Sequence, residues 1–135
     1  MTLEEAFEKY PSATTFTFGD SEELCTRLLG LVKAGSKRAT SMALREVTLE
    51  GCPMPVVGRR DIALNWGGTP ALVIETTELA VERFCDVKES YALAEGENED
   101  LEGWQNDHQT YFERNGGFSP TMELICECFE LVEVF

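Results

Sequence analysis

The sequence predicts an α+β domain, a curved sheet or small barrel with helices on its flanks. Three observations carry this. Two segments, Leu24–Val32 and Leu101–Phe112, place apolar residues at helical spacing. Two strand-like runs meet across Gly67-Gly68, and a long alternating run, Met122–Val134, closes the chain. The elements follow hairpin order, without the repeated strand–helix–strand units of a parallel sheet. A chain of 135 residues suits one domain, so residues 1–135 are read as a single unit, with 1–14 as an N-terminal helical extension.

In order, Leu3, Ala6, Phe7 and Tyr10 line one side of a short acidic helix that Pro11 ends. Phe16 and Phe18 alternate with threonines in a brief extended segment. Asp20 with Glu23 has the capping-box spacing, which predicts a helix with Asp20 as N-cap, Lys33 in its last turn and Gly35 just past its end. Residues 40–50 fit neither period. Gly51-Cys52-Pro53-Met54-Pro55 is a loop. Asp61–Trp66 and Ala71–Thr77 read as a hairpin, with a third strand over Leu79–Phe84 after a kink. Asp86 with Glu89 repeats the cap spacing and opens a helix ending near Gly96. An acidic loop follows, then a helix with Leu101, Trp104, His108, Tyr111 and Phe112 on one face. The last strand slips its alternation near Cys128, which predicts a β-bulge.

Composition limits the function. No apolar run is long enough to span a bilayer, and the acidic start lacks the regions of a signal peptide, so a cytoplasmic protein is expected. Five cysteines, an odd count without zinc or redox spacing, and a single histidine point to no metal and no cofactor. The net charge of −14 opposes generic duplex binding, which needs dense phosphate neutralisation. The charges are uneven, however. Six of eleven cations (Lys33, Lys37, Arg38, Arg45, Arg59, Arg60) fall in residues 33–60, and twelve of twenty-five acids in 75–113. That pattern suits a local cationic mouth for a small anionic or nucleoside ligand or a short single strand; it equally suits solvated surface charge.

Gly35-Ser36-Lys37-Arg38-Ala39-Thr40 follows the best-defined helix and sets an amine and a hydroxyl three residues apart. These two groups can converge on a carbonyl or phosphate, or the lysine can serve as a base toward the hydroxyl. The same residues also read as solvated cations at a helix C-terminus. Glu95, where a helix yields to a loop, can offer a carboxylate to a pocket or to solvent. His108 reads as a packed or a catalytic imidazole, and Trp66 and Trp104 as core aromatics or base-stacking platforms.

Taken together, several blocks resemble the ASCH domain family, a branch of the PUA-like superfamily. These are Phe16–Asp20, Glu23–Val32, Ala34–Thr40, Gly51–Gly58, Glu95-Gly96-Glu97 and Trp104-x-x-x-His108-x-x-x-Phe112, in the family's order. The chain departs from the family at Ser36, where a basic residue is usual, at Arg38, where a threonine is usual, and at Gly58-Arg59 in place of Gly-Asp. The resemblance implies a small PUA-like barrel with a cleft for RNA or a modified nucleoside. In one branch the matching positions, Lys37, Thr40 and Glu95, serve an amidohydrolase that deacylates N4-acetylcytidine. Other members resemble single-strand ribonucleases or non-catalytic RNA binders linked to translation. On the hydrolase reading Lys37 takes the Thr40 proton, and Glu95 orients substrate or protonates the leaving amine. Arg38 or Arg45 neutralises oxyanion charge, and Trp66, Trp104 and His108 complete the substrate contacts.

Overall fold

A computed structural model describes residues 1–135. The chain runs α1 (Leu3–Lys9), β1 (Thr15–Phe16), α2 (Glu22–Lys33), β2 (Ala39–Ala43), α3 (Leu44–Thr48), β3 (Arg60–Leu64) and β4 (Pro70–Arg83). A 3₁₀ turn (Phe84–Asp86), α4 (Glu89–Ala94), α5 (Leu101–Arg114) and β5 (Glu123–Val134) follow. The five strands form one mixed sheet in the order β1-β3-β4-β5-β2, with only the β1–β3 pair parallel. The α+β prediction holds, and the sheet is open: β1 and β2 are its edges and do not pair, so no barrel closes.

The expected second and third strands are one element. β4 runs unbroken through Thr77, and the kink is a bulge at which Thr77 stands without a partner between the Thr76–Phe129 and Glu78–Cys128 pairs. The alternation slip near Cys128 therefore marks a real bulge whose extra residue lies on the facing strand. A second register shift leaves Val132 of β5 between the pairs of Val73 and Ile74. Residues 40–50 split into β2, on the open edge of β5, and the single-turn α3, where the Ala43 N–H donates to Glu46 Oε2 at 3.0 Å.

Alternation across the strands divides the apolar residues. Ala63, Leu72, Ile74 and Phe129 meet Cys25, Leu28, Leu29 and Val32 of α2, whereas Ile62 and Val73 meet Ala6 of α1 on the other face. Further along β5, Leu124 and Cys126 pack against Phe84, Ala92, Trp104 and Phe112 in a second core beneath α4 and α5.

Two caps differ from expectation. Ser21, one residue later than Asp20, caps α2 by accepting from the Leu24 N–H at 3.2 Å. Asp20 instead receives Arg114 Nε at 2.6 Å, Arg114 Nη2 at 3.1 Å and Asn115 Nδ2 at 2.8 Å, tying the entrance of α2 to the end of α5. Asp86 ends the 3₁₀ turn and pairs with Arg83; Lys88 precedes α4 without a side-chain cap.

One close approach fixes the site. After α2 the chain turns at Gly35, and Lys37 N donates back to Leu31 O at 3.1 Å. The next amide, Arg38 N, donates to Ala94 O at 2.8 Å, which presses the end of α4 onto the α2–β2 link. Gly96 lies there with φ +77°, and a Cβ on it would stand 2.3 Å from Ser36 O and 2.8 Å from Lys37 N. Only glycine tolerates both the left-handed backbone and that contact. Gly96→Ala is expected to cost about 3 kcal/mol or more, read as a fall in the denaturant midpoint. Gly30→Ala, at a position where an added Cβ meets nothing within 4 Å, serves as the control.

Candidate functional site

The approach of α4 to the α2–β2 link buries a lysine among oxygens. Lys37 is 2% exposed, and its Nζ donates to Ala39 O at 2.8 Å, Glu97 Oε2 at 3.0 Å, Glu95 O at 3.3 Å and Glu95 Oε1 at 3.4 Å. An ammonium carries three donors, so four acceptors satisfy it fully. Its Nζ lies over the Phe18 ring, 5.8 Å from the centroid. A buried cation persists only with such compensation, and here two carboxylates and two carbonyls supply it.

Glu95, 1% exposed, is equally saturated. Its Oε2 accepts from Trp104 Nε1 at 2.8 Å and Ser41 Oγ at 2.9 Å, and its Oε1 faces Lys37 Nζ and His108 Nε2, each at 3.4 Å. Burial alone would push the Glu95 carboxyl up. The Lys37 ammonium, His108 and the Trp104 N–H outweigh it and hold the group down at about 2. His108 stacks on Trp104 and points its other nitrogen, Nδ1, at Trp104 O, 2.8 Å away. Both ring nitrogens thus face acceptors, an arrangement that suits the doubly protonated imidazolium. Burial works against that charge, but Glu95 and Glu97 reverse the effect and raise the His108 pKa above its ordinary value.

These groups open onto a cavity of about 620 Å³ lined by residues of α2, α5 and the sheet. Lys37, Thr40, Glu95 and His108 line it, so His108 faces the cleft. Thr40 does not meet Lys37: its hydroxyl makes no hydrogen bond within the protein, and its carbonyl accepts from Tyr91 Oη at 2.6 Å. Trp104, fully buried, lies behind Glu95 as a donor and lines no part of the cavity. Arg38, Arg45 and Trp66 are elsewhere. Arg38, just before β2, is exposed and lines no part of the cavity, Arg45 holds the loop after α5 through Gly117 O at 2.8 Å, and Trp66 lies exposed in the β3–β4 turn.

Three cavity residues were not singled out by sequence. Arg27 of α2 stands at the rim. Asp61 of β3 is buried and accepts from Arg59 Nε at 2.9 Å and from the Thr14 N–H at 2.9 Å. Glu127 of β5 is buried beside Thr40. Its signal was its place: an acid between Cys126 and Cys128 in an otherwise apolar stretch.

Glu95, Glu97 and His108 each bring one ligand atom within 4.8 Å of the others, the donor set of a small metal site. The Lys37 ammonium already lies on both carboxylates, so a divalent cation would have to displace it.

This fold and site define a class. The ASCH domain model matches residues 14–133, and the chain belongs to that family, whose fold is PUA-like. The ASCH domain from Lactobacillus crispatus JV V101 is 31% identical and superposes with a TM-score of 0.82, covering 94% of this chain and 84% of that one. Protein EF3133 from Enterococcus faecalis V583 is 31% identical with a TM-score of 0.84, covering 97% and 85%. The ASCH protein from Zymomonas mobilis, 10% identical with a TM-score of 0.55, covers 91% and 71% and shares the fold alone. No curated protein matches the chain. No helix is long and apolar enough to cross a membrane.

Because Glu95 ionises at about 2 when folded and near its ordinary 4.5 when unfolded, its charge stabilises the fold above the unfolded value. That contribution is expected to be lost as pH falls from about 4.5 to about 2. His108→Phe removes one of the two cations on Glu95 and should move the acid transition to higher pH, measured by thermal melts across that range.

Proposed function

We propose that this domain binds a modified pyrimidine nucleoside, free or at the end of a short RNA, and hydrolyses an acyl amide on its base. The observation that carries this reading is a half-open cavity large enough for a nucleoside, lined by both a buried, fully oriented ammonium and an unengaged hydroxyl. A groove for a longer strand would need cations along it. Of the cations that reach the cavity, Lys37, Arg59 and Arg114 are committed to carboxylates and Arg27 alone is left at the rim, whereas Arg60 pairs with Glu75. That distribution favours the small ligand over the single-strand ribonuclease or extended RNA-binding surface.

In the proposed reaction water adds to the acyl carbon, the carbon–nitrogen bond breaks, and the base amine departs with a proton. Lys37 supplies a preoriented positive donor for the oxygen that gains charge. Glu95, with every lone pair engaged, acts through Lys37 and His108 as a positioning residue. Thr40, whose hydroxyl has no protein partner, is free to bond the attacking water or to attack directly. Lys37, as an ammonium, has no lone pair for the Thr40 proton and would first have to lose one of its own, so its part here is that of a donor to the oxyanion and not of a base.

The test is turnover of N4-acetylcytidine to cytidine and acetate, followed chromatographically. Lys37→Ala should lower kcat/KM by about a hundredfold or more, and Thr40→Val should lower it with less effect on stability. An absence of turnover by the folded wild type would overturn the hydrolase reading. Binding of single-stranded RNA that weakens steeply with salt would then favour the RNA surface.

A further inference from the structure

The cavity has a second polar pole that the reaction above does not use. Glu127 is the register partner of Thr40 across the β2–β5 ladder. The two side chains therefore rise from the same face, with Cβ atoms about 5 Å apart. Both line the cavity. Thr76 Oγ1 donates to Glu127 Oε2 at 2.7 Å, which fixes the plane of the carboxyl. The other oxygen, Oε1, makes no hydrogen bond within the protein, and it is not among the sealed, unsatisfied polar atoms. Glu95 has all its acceptor directions filled, but Glu127 has half of them open toward the ligand space.

We propose that Glu127, held by Thr76 beside Thr40, is the residue that selects the base, its free oxygen accepting the N–H of an amino- or acylamino-pyrimidine and repelling the oxo edge of uracil. The inference rests on the nucleoside reading and adds a specificity it lacks. A carboxylate accepts naturally from the exocyclic nitrogen of cytosine, whereas the same position in uracil presents a carbonyl oxygen, acceptor against acceptor. The placement agrees with the chemistry, because the base nitrogen that carries the acyl group would lie against Glu127 next to the Thr40 hydroxyl. Burial pushes the Glu127 carboxyl up, with the Thr76 hydrogen bond opposing. A ligand N–H would supply the partner that the protein withholds.

The experiment is calorimetric titration of the full chain with cytidine and uridine, and stopped-flow binding of N4-acetylcytidine read before it is hydrolysed, on wild type, Glu127→Gln and Thr76→Val. Glu127→Gln is isosteric, and its amide can turn either its oxygen to an amine or its N–H to a carbonyl. The wild type is expected to bind the two cytidines at least about tenfold more tightly than uridine, and Glu127→Gln to bring the three within a few-fold of one another. Thr76→Val should weaken the preference in part, by loosening the carboxyl without removing it. Equal binding of all three nucleosides by the wild type, or a preference unchanged in Glu127→Gln, would overturn the role of Glu127 and leave the nucleoside site standing. Failure of the folded wild type to bind any nucleoside would overturn both.

Discussion

A charged amine with almost no access to water is the constraint around which this fold is arranged. Lys37 persists in the interior because the first carbonyl of β2, a helix-end carbonyl and two carboxylates converge on it. Its three donors meet four acceptors, so one can be spared, but removing both carboxylates would leave a buried charge without a counter-ion, and the penalty of an unpaired buried ion far exceeds the net gain of making the pair. Each acceptor is positioned by its own support. Trp104 and Ser41 hold Glu95 from behind, His108 steadies it from the side, and Gly96 lets the whole bend descend onto the lysine's backbone.

This arrangement divides labour among groups that look alike in sequence. Glu95 and Glu127 are both buried acids, yet one is surrounded by donors that hold its carboxyl down, while burial pushes the other up against the hydrogen bond of a single hydroxyl. Trp104 and Trp66 are both aromatic, yet one is a hydrogen-bond donor in the core and the other lies in a turn. Environment assigns the role in each case.

Much of this was legible from residues alone. The helical stripe of α2, the hairpin at Gly67-Gly68 and the aromatic face of α5 follow from local period and turn chemistry. Lys37, Thr40 and Glu95 stood out through the family resemblance, and they share one cavity, although Thr40 and Lys37 do not bond. Arg38 and Arg45 are near neighbours of the motif along the chain, but Arg38 lies exposed and Arg45 is taken up by the loop after α5, and proximity in sequence carries no direction. β2 escaped notice because an edge strand of small residues has no period of its own and is defined by the partner it joins. The length of β4 was hidden by Thr77, whose bulge mimics the end of one strand and the start of another. Glu127 was masked by its strand, where an acid among alternating residues reads as a solvated face.

The separation of the site's members along the chain has a consequence for how the domain acquires its chemistry. Lys37 and its two carboxylate partners are 58 and 60 residues apart, and α3, β3 and β4 all lie between them. No short segment can preorganise the ammonium, since the loop to be closed spans most of the sheet. In the unfolded ensemble the lysine is simply hydrated and the acids repel one another. Chemical competence is therefore a late, cooperative property of this chain, gained when β5 and the α4 end dock and surrendered as soon as either lifts away.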